Sequence, residues 1–495
     1  MLVVALLLLE LLCRYGVISR LNMTAPSDMF VRLVALLQQP KYLAQISSTL
    51  WNILVAALIA LMVGFMAGVV LHGVPRARRA LQPVFASYFA LPFFVLYPLL
   101  VVLLGMNNVP IIVIGSIAGV LAMLINTLDG IDRIPPALSK VGRNFRLGSV
   151  RTALLIQLPA TIPYLFTGAK LALGYVVATV IGAEFILSAS GLGYSISFAY
   201  NNFENATMYA LLLFVILFVT LLLMLLNLIE RRVRYSAGSG SMTAPTALPT
   251  GTRRERIIDG IVVSAGILGF WQLLHLYSGS EALSSPRATA ARIGTLFQST
   301  MFWDNVQETY TALCISLVIS CIGGAMVGIL LGANRLAGSV VEPMVVMLQA
   351  IPKVTLYPVF LLFFGLGLAA KVAFGVIHGI VPVTLVTLNA VRSLNPALKR
   401  TARALHVSPL QTVFTILLPA TIPEIVTAVR LGFCLTFLGV MVGEMFASKR
   451  GLGFMIMNGI YVNDVPTMIA VTVLIGMFAI AVNSLLLAVE KRAYR

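Results

Sequence analysis

Four ionisable residues interrupt two long apolar stretches that otherwise read as bilayer-buried. Lys170 and Glu184 lie in the segment LPATIPYLFTGAKLALGYVVATVIGAEFILSASGLGYSI, which starts at Leu158; Arg430 and Glu444 hold the same places in a second such segment, which starts at Leu418. An ionised group at mid-membrane costs about 2.5–3.5 kcal/mol on insertion scales, so such residues are kept for pairing, gating or contact with a bound solute. Lys170 and Glu184 are 14 residues apart, about 21 Å along a helix, and cannot form one site. Lys170 and Arg430 are expected to snorkel or pair near one membrane face. Glu184 and Glu444 are expected near the other, just before Gly191-Leu192-Gly193 and Gly451-Leu452-Gly453, in a structural or gating role rather than in direct contact with a solute. His378 aligns with an apolar Ala118 and reads as a packing residue. Cys13, Cys314, Cys321 and Cys434 each sit in an apolar run without CxxC spacing, so they read as buried packing residues rather than disulfide or metal ligands.

The second chemistry-bearing region is basic. It reads PPALSKVGRNFRLGSVRTALLIQLPATIP from Pro135 and NPALKRTARALHVSPLQTVFTILLPATIP from Asn395. Asn395-Pro396 suits an N-cap followed by Pro in the first turn, where the missing N–H costs nothing. The spacing predicts a short surface helix carrying Lys140, Arg143 and Arg146 in one stretch and Arg400, Arg403 and His406 in the other, ended near Gly148 and Ser408-Pro409. Pro159, Pro163, Pro419 and Pro423 are then expected to break the chain before it re-enters the bilayer. By composition alone, a basic helix of this kind would touch anionic lipid.

The elements that must carry these groups follow from bulk composition. The chain has 495 residues, 10% charged and 59% hydrophobic, with a mean hydropathy of +0.99. Soluble domains carry about a quarter charged residues, so a water-facing shell of this size is excluded, and with it a soluble enzyme or a nucleic-acid-binding protein, despite a net charge of +17. An all-α polytopic membrane protein remains, with room for about a dozen spans. The Leu158 and Leu418 segments match without a gap at an offset of 260 residues. The same offset maps Pro26 to Pro286, Thr49 to Thr309, Gly64 and Gly68 to Gly324 and Gly328, Pro92 to Pro352, Tyr97-Pro98 to Tyr357-Pro358, and Glu230 to Glu490. Residues 1–235 and 261–495 are therefore two copies of one unit. Residues 236–260, rich in Gly, Pro, Ser and Thr, read as a flexible tether of about 25–30 Å root-mean-square span.

Six spans are expected near 1–19, 48–72, 81–104, 109–129, 160–188 and 207–230, and six more at the added offset. The N-terminus lacks a basic lead and a small-residue cleavage site, so it reads as a retained first span rather than a signal peptide. Met1 opens directly into apolar sequence where copy two has RRERIID, so that span reads as less firmly anchored, or the start as late. Arg76, Arg78, Arg79, the basic stretches above, Arg231, Arg232 and Arg234 share one face, and copy two repeats the bias, with Arg32 and Lys41 as exceptions. The positive-inside rule puts both termini and both basic loops in the cytoplasm, and an even number of spans makes the repeat parallel. The GxxxG pairs at Gly64/Gly68 and Gly324/Gly328 are expected to let helices approach closely.

These loops resemble the cytoplasmic loop of type I ABC importer permeases of the binding-protein-dependent class. That pattern runs Glu-Ala-Ala, three residues, Gly, nine residues, Ile, one residue, Leu-Pro. Ile156, Leu158 and Pro159 keep its end in copy one, and Ile416, Leu418 and Pro419 in copy two. Its head departs: Lys140 and Arg400 replace the Glu, Val141-Gly142 and Thr401-Ala402 the two Ala, and Arg146 and His406 the Gly. The Glu184 and Glu444 segments with their Gly-Leu-Gly turns look like the subgroup for nitrate, sulfonate and taurine.

The resemblance implies a MetI-like fold of two tandem permease repeats, with cores near 45–230 and 305–490, in a bacterial inner membrane. It implies that the basic loops are coupling helices seated in cytoplasmic ABC ATPase subunits, and that a periplasmic or lipid-anchored binding protein delivers a small solute. It also implies that the fused chain acts as a single-chain pseudo-dimer. The sequence has no G-x-x-x-x-G-K-[ST] phosphate loop, so ATP and Mg would sit on the partner ATPase and this chain would bind no cofactor and hold no catalytic or metal site. The alternative is a twelve-span secondary carrier of the major facilitator type, also built from two parallel six-span halves. Its Gly-x-x-x-Asp signature is missing from His72-Gly73-Val74-Pro75-Arg76.

Overall fold

A computed structural model describes residues 2–19, 22–88, 90–134, 137–138, 140, 144–152, 155–156, 158–237, 252–395, 397 and 407–493. Among the described residues the regular structure is helical throughout. In copy one the helices are α1 (Leu2–Arg14), α2 (Pro26–Leu37), α3 (Pro40–Gly73), α4 (Pro75–Tyr88), α5 (Tyr97–Leu104), α6 (Asn108–Asp132), α7 (Leu158–Ile186), α8 (Leu192–Asn201) and α9 (Asn205–Ala237). Copy two repeats the series as α10 (Arg253–Ser278), α11 (Pro286–Leu296), α12 (Thr300–Ala333), α13 (Arg335–Ala350), α14 (Tyr357–Phe364), α15 (Leu368–Ser393), α16 (Leu418–Phe446), α17 (Leu452–Tyr461) and α18 (Val465–Ala493).

Nine of the described helices are long and apolar enough to cross a bilayer: α3, α6, α7, α9, α10, α12, α15, α16 (counted from Val413) and α18. The other three expected spans differ. Helix α1 has 13 residues, about 20 Å, short of the hydrocarbon thickness. The third span of each copy is not one helix. Pro92 and Pro352 interrupt it, and four residues of 3₁₀ helix (Phe93–Leu96, Lys353–Leu356) join α4 to α5 and α13 to α14. Proline removes a backbone donor and clashes with the preceding turn, so these segments are discontinuous, and the hydropathy that suggested a continuous span hid the break.

The prolines at the other predicted break do not interrupt the chain. Pro159 and Pro419 fall in the first turn of α7 and α16, where no intrahelical N–H is needed, and Pro163 and Pro423 lie inside those helices. A π-helical turn over Val413–Leu417 runs directly into α16. Ser408 caps the turn before it: its hydroxyl accepts from Gln411 N and Gln411 Oε1 accepts from Ser408 N, a reciprocal capping box. Thr252 and Glu255 make the same pair at the start of α10.

The chain forms two compact units that draw on both copies: Ser27–Phe85 with Leu104–Leu273, and Met1–Pro26 with Ala86–Leu103 and Leu274–Arg495. In the first unit α6 packs between α3 and α7; in the second α15 packs between α12 and α16. The GxxxG pairs permit this. A methyl group on Gly68 would come within 2.7 Å of the Thr127 side chain, and one on Gly328 within 2.7 Å of that of Thr387. Packing this close lets dispersion attraction and small-residue fit hold the helices where lipid removes the hydrophobic driving force. All four cysteines are free thiols; Cys13 and Cys434 are buried, while Cys314 and Cys321, on α12, are half-buried rather than buried as expected.

Candidate functional site

Each unit ties the Glu and the Gly-Leu-Gly turn predicted from sequence into one buried cluster. Glu184 ends α7 and is 1% exposed. Its carboxylate accepts from the Thr49 hydroxyl of α3 at 2.7 Å, from the Asn52 amide at 3.3 Å and from Gly193 N at 3.2 Å. Thr49 Oγ1 in turn accepts from Leu192 N at 2.7 Å, and Gln45, one turn earlier on α3, accepts from Gly191 N. Copy two repeats the design. Thr309 donates to Glu444 at 2.9 Å, Gly453 N at 3.0 Å, Leu452 N donates to Thr309 Oγ1 at 2.9 Å, and Gly451 N to Asn305 Oδ1 at 2.6 Å. Of the three free amides at the start of α8 and α17, two are thus capped by side chains from α3 or α12 and the third by the Glu of α7 or α16.

The glycines are dictated by that geometry. Gly191 and Gly451 have φ of 103° and 123°, a region costly to residues with a Cβ. A Cβ on either would lie 2.2 Å from the Glu carboxyl carbon, and a Cβ on Gly193 would lie 2.2 Å from the Ile181 carbonyl oxygen. The cluster therefore clamps the C-terminal end of α7 to α3 and to the start of α8, and the matching end of α16 to α12 and α17. The sequence singled out Glu184, Glu444 and the four glycines; it missed Gln45, Thr49, Asn52, Asn305 and Thr309. The signal was present, since Thr49 and Thr309 match at the repeat offset and each follows an amide side chain by four residues, on one helix face.

Near the middle of α7 and α16, Lys170 and Arg430 pair as one of the expected alternatives had it. Lys170 donates to Glu230 at 2.8 Å and Asn227 at 3.0 Å, and Arg430 to Glu490 at 2.6 Å. Both carboxylates come from the last helix of the copy, α9 or α18. Arg32, an exception to the expected charge bias, donates to Thr207 at the start of α9, as Arg292 does to Thr467 and Asp464 at the start of α18. Lys41 lies over the Phe198 ring at 5.4 Å, a cation–π arrangement.

The basic loops are described only in part. Lys140 and Arg146 are exposed, and Arg146 has φ 51°; residues 137, 138, 140 and 144 are helical. Asn395 Oδ1 accepts from Ala397 N at 2.9 Å, the N-cap expected there. Ile156 and Leu158 are half-buried with Pro159 exposed, and Ile416 and Leu418 are half-buried with Pro419 exposed. Gly142, Arg143, Arg400, Ala402, Arg403 and His406 lie outside the described residues.

Two discontinuous spans, a basic loop before α7 and before α16, and a Glu–Gly-Leu-Gly clamp repeated in register form a duplicated transmembrane core. Over residues 60–235 and again over 324–494, the chain matches the model of the binding-protein-dependent transport system inner membrane components. The chain belongs to that family. It is a membrane-spanning permease of an ABC importer, not a facilitator-type carrier. Similar proteins include a probable ABC transporter permease protein of Haemophilus influenzae, 26% identical over 41% of this chain and 83% of that protein. The taurine transport system permease protein of Escherichia coli is 27% identical over 40% of this chain and 70% of its own length. The bicarbonate transport system permease protein of Synechococcus elongatus is 28% identical over 46% and 88%. Each relative spans less than half of this permease, in keeping with two permease copies in one polypeptide.

Proposed function

We propose that this permease is the whole membrane unit of its importer, a single-chain pseudo-dimer whose two copies each supply one coupling loop to a cytoplasmic ATPase subunit. The observation that carries the reading is the duplicated core, matched once in each copy, since an importer of this kind needs two coupling loops. ATP and Mg belong to the partner ATPase, and a soluble or lipid-anchored binding protein presents the cargo at the face bearing the Gly-Leu-Gly turns. Both termini and both basic loops lie in the cytoplasm by the positive-inside rule. The repeats 1–235 and 261–495 are the functional halves; the tether expected at 236–260 is shorter than that, because α9 runs to Ala237 and α10 already begins at Arg253.

The coupling surface is built on Lys140, Arg143 and Arg146 and on Arg400, Arg403 and His406, with Gly142 and Ala402 where the helix must approach its groove. Ile156, Leu158 and Pro159, with Ile416, Leu418 and Pro419, fix how each loop leaves for α7 and α16. Glu184, Gly191, Gly193, Glu444, Gly451 and Gly453 hold the outer gate elements together, and Lys170 and Arg430 hold the inner ends to α9 and α18. The cargo is a small solute of the nitrate, sulfonate, taurine or bicarbonate kind, by similarity to the relatives named for such cargoes.

The test is uptake in proteoliposomes containing the permease, its ATPase and its binding protein. Uptake should require ATP and survive a protonophore. Reversing Arg143 and Arg403 together to Glu should abolish uptake while leaving membrane insertion intact; unchanged uptake in that double variant overturns the coupling assignment.

A further inference from the structure

The two copies differ where the third span breaks. Copy two places Lys353 directly after Pro352, on the 3₁₀ turn that leads into α14; copy one has Phe93 at that position. Lys353 is 7% exposed, and Lys371 (2%) is the other buried lysine among the described residues. Lys371 has a carboxylate: its ammonium donates to Glu308 at 3.0 Å and to the Arg450 carbonyl at 2.8 Å. Among the described residues, Lys353 donates only to the Gln349 carbonyl, at 3.3 Å. Among the described residues no carboxylate lies within 4 Å of it.

Its neighbours are equally one-sided. The charged group that acts on His378 is Lys353, and copy one has Ala118 in the place of that histidine. The Gln349 carboxamide oxygen is buried without a partner, so the amide is free to turn and present its N–H₂. Helix α14 begins at Tyr357, four residues beyond Lys353, and its N-terminal end carries partial positive charge.

A buried ammonium held by one carbonyl is costly in a membrane protein when no fixed counter-charge offsets its desolvation. Non-helical backbone at membrane depth is kept where it is enclosed by protein or lines a polar cavity, and interrupted helices form solute sites in other transporters. The missing component of the Lys353 environment is a negative charge that does not come from the described chain.

We propose that Lys353, with the Gln349 amide and the N-terminal end of α14, forms one binding site for a small singly charged oxyanion or sulfonate group, present in copy two alone. This rests on the reading of the chain as an importer pathway and adds to it that the pathway is chemically asymmetric. The cargo's anionic group is held by one half, while the other half, with Phe93, offers an apolar wall. One anion per chain then neutralises Lys353, and release requires only that the ammonium fall back on Gln349.

The test is direct binding to the full chain in lipid nanodiscs, with nitrate and ethanesulfonate as probes in separate titrations followed by calorimetry and by thermal unfolding. One saturable site per chain is expected for at least one probe. Lys353→Met should weaken that binding at least tenfold, Lys353→Arg should retain it, and Lys371→Met should leave it unchanged. Binding of neither probe, two equal sites per chain, or unaltered affinity in Lys353→Met each overturns the proposal. Stoichiometry is read on the unaltered chain and so decides the matter even where a variant does not fold. ATP-driven uptake, measured separately, fails or succeeds with the importer reading independently of this site.

Discussion

If the Glu–Thr clamp is what holds the C-terminal end of α16, then Thr309 and Glu444 must be energetically coupled. Thr309 Oγ1 donates to the Glu444 carboxylate at 2.9 Å and accepts from Leu452 N at 2.9 Å, with both side chains fully enclosed. Thr309→Val keeps the shape but removes donor and acceptor together, orphaning Leu452 N and one carboxylate oxygen. Glu444→Ala orphans the Thr309 hydroxyl and Gly453 N. An unsatisfied buried group costs about 1–3 kcal/mol, so each single variant should lose about 2–5 kcal/mol. The double variant cannot lose the shared hydrogen bond twice, so the cycle should close with a coupling energy of about 1–3 kcal/mol. The measurement is equilibrium unfolding of the purified permease by SDS titration, with the four proteins compared in one micelle system. Additivity within about 0.5 kcal/mol would refute the clamp as an energetic unit and leave it a mere juxtaposition. The corresponding cycle at Thr49 and Glu184 should couple more weakly, because Asn52 supplies that carboxylate with a second side-chain donor, which copy two replaces with Ala312.

Gly451→Ala should destabilise far more than Gly279→Ala. Both have positive φ, but the new Cβ at 451 would lie 2.2 Å from the Glu444 carboxyl carbon while 279 faces open space; only the backbone penalty of about 1–2 kcal/mol applies at 279, and equal thermal shifts would contradict this. Arg430→Gln removes the counter-charge of the largely enclosed Glu490, leaving it the Thr427 hydroxyl, and should cost about 1–3 kcal/mol, between the values for exposed and buried pairs; exchanging the two residues should recover part of it in the same unfolding assay. Asp464 depends on pH. Burial pushes its carboxyl up, but the Thr467 hydroxyl and backbone N–H and the Arg292 guanidinium outweigh that and hold it below the usual Asp range. Stability from this contact is therefore complete above the ordinary Asp pKa and lost as pH falls through the lowered value. Wild type should lose stability below about pH 4 by an increment missing from Asp464→Asn, and parallel acid curves would count against it.

The helical class, the repeat and the identity of the central residues were all legible in the sequence, because each is a local or periodic property. Lipid demands apolar helices, and the 260-residue offset carries prolines and glycines in register as well as leucines. Glu184 and Glu444 stood out because a carboxylate in such a segment needs a reason. Their partners did not, because Thr49 and Glu184 are 135 residues apart and a threonine in an apolar helix satisfies its own backbone in most places. The broken third spans escaped because hydropathy averages over a window in which Pro92 and Pro352 cost little. The prolines after the basic loops misled in the opposite direction, since a first-turn proline and a π turn absorb what an interior proline would break. Lys353 did not stand out in the sequence; its burial is what separates it from the exposed basic residues.

The helices at the end of α4 and α6 carry one more lesson. Arg78 on α4 pairs with Asp132, the last residue of α6, at 2.5 Å. In copy two the α6 position is Arg392 of α15, and its partner is Glu342 on α13. The two copies thus hold the same joint with the charges exchanged. A gene that encodes two such similar halves is exposed to recombination between them, which would splice the front of one copy to the back of the other. In one such product Arg78 would take the place of Gly338, against the Arg392 guanidinium; in the reciprocal product Glu342 would share a joint with Asp132. Each chimera would bring like charges together at a half-enclosed site. The exchanged pair favours each half in its own context, so a product of unequal crossing-over would carry a local charge repulsion that neither parent copy has.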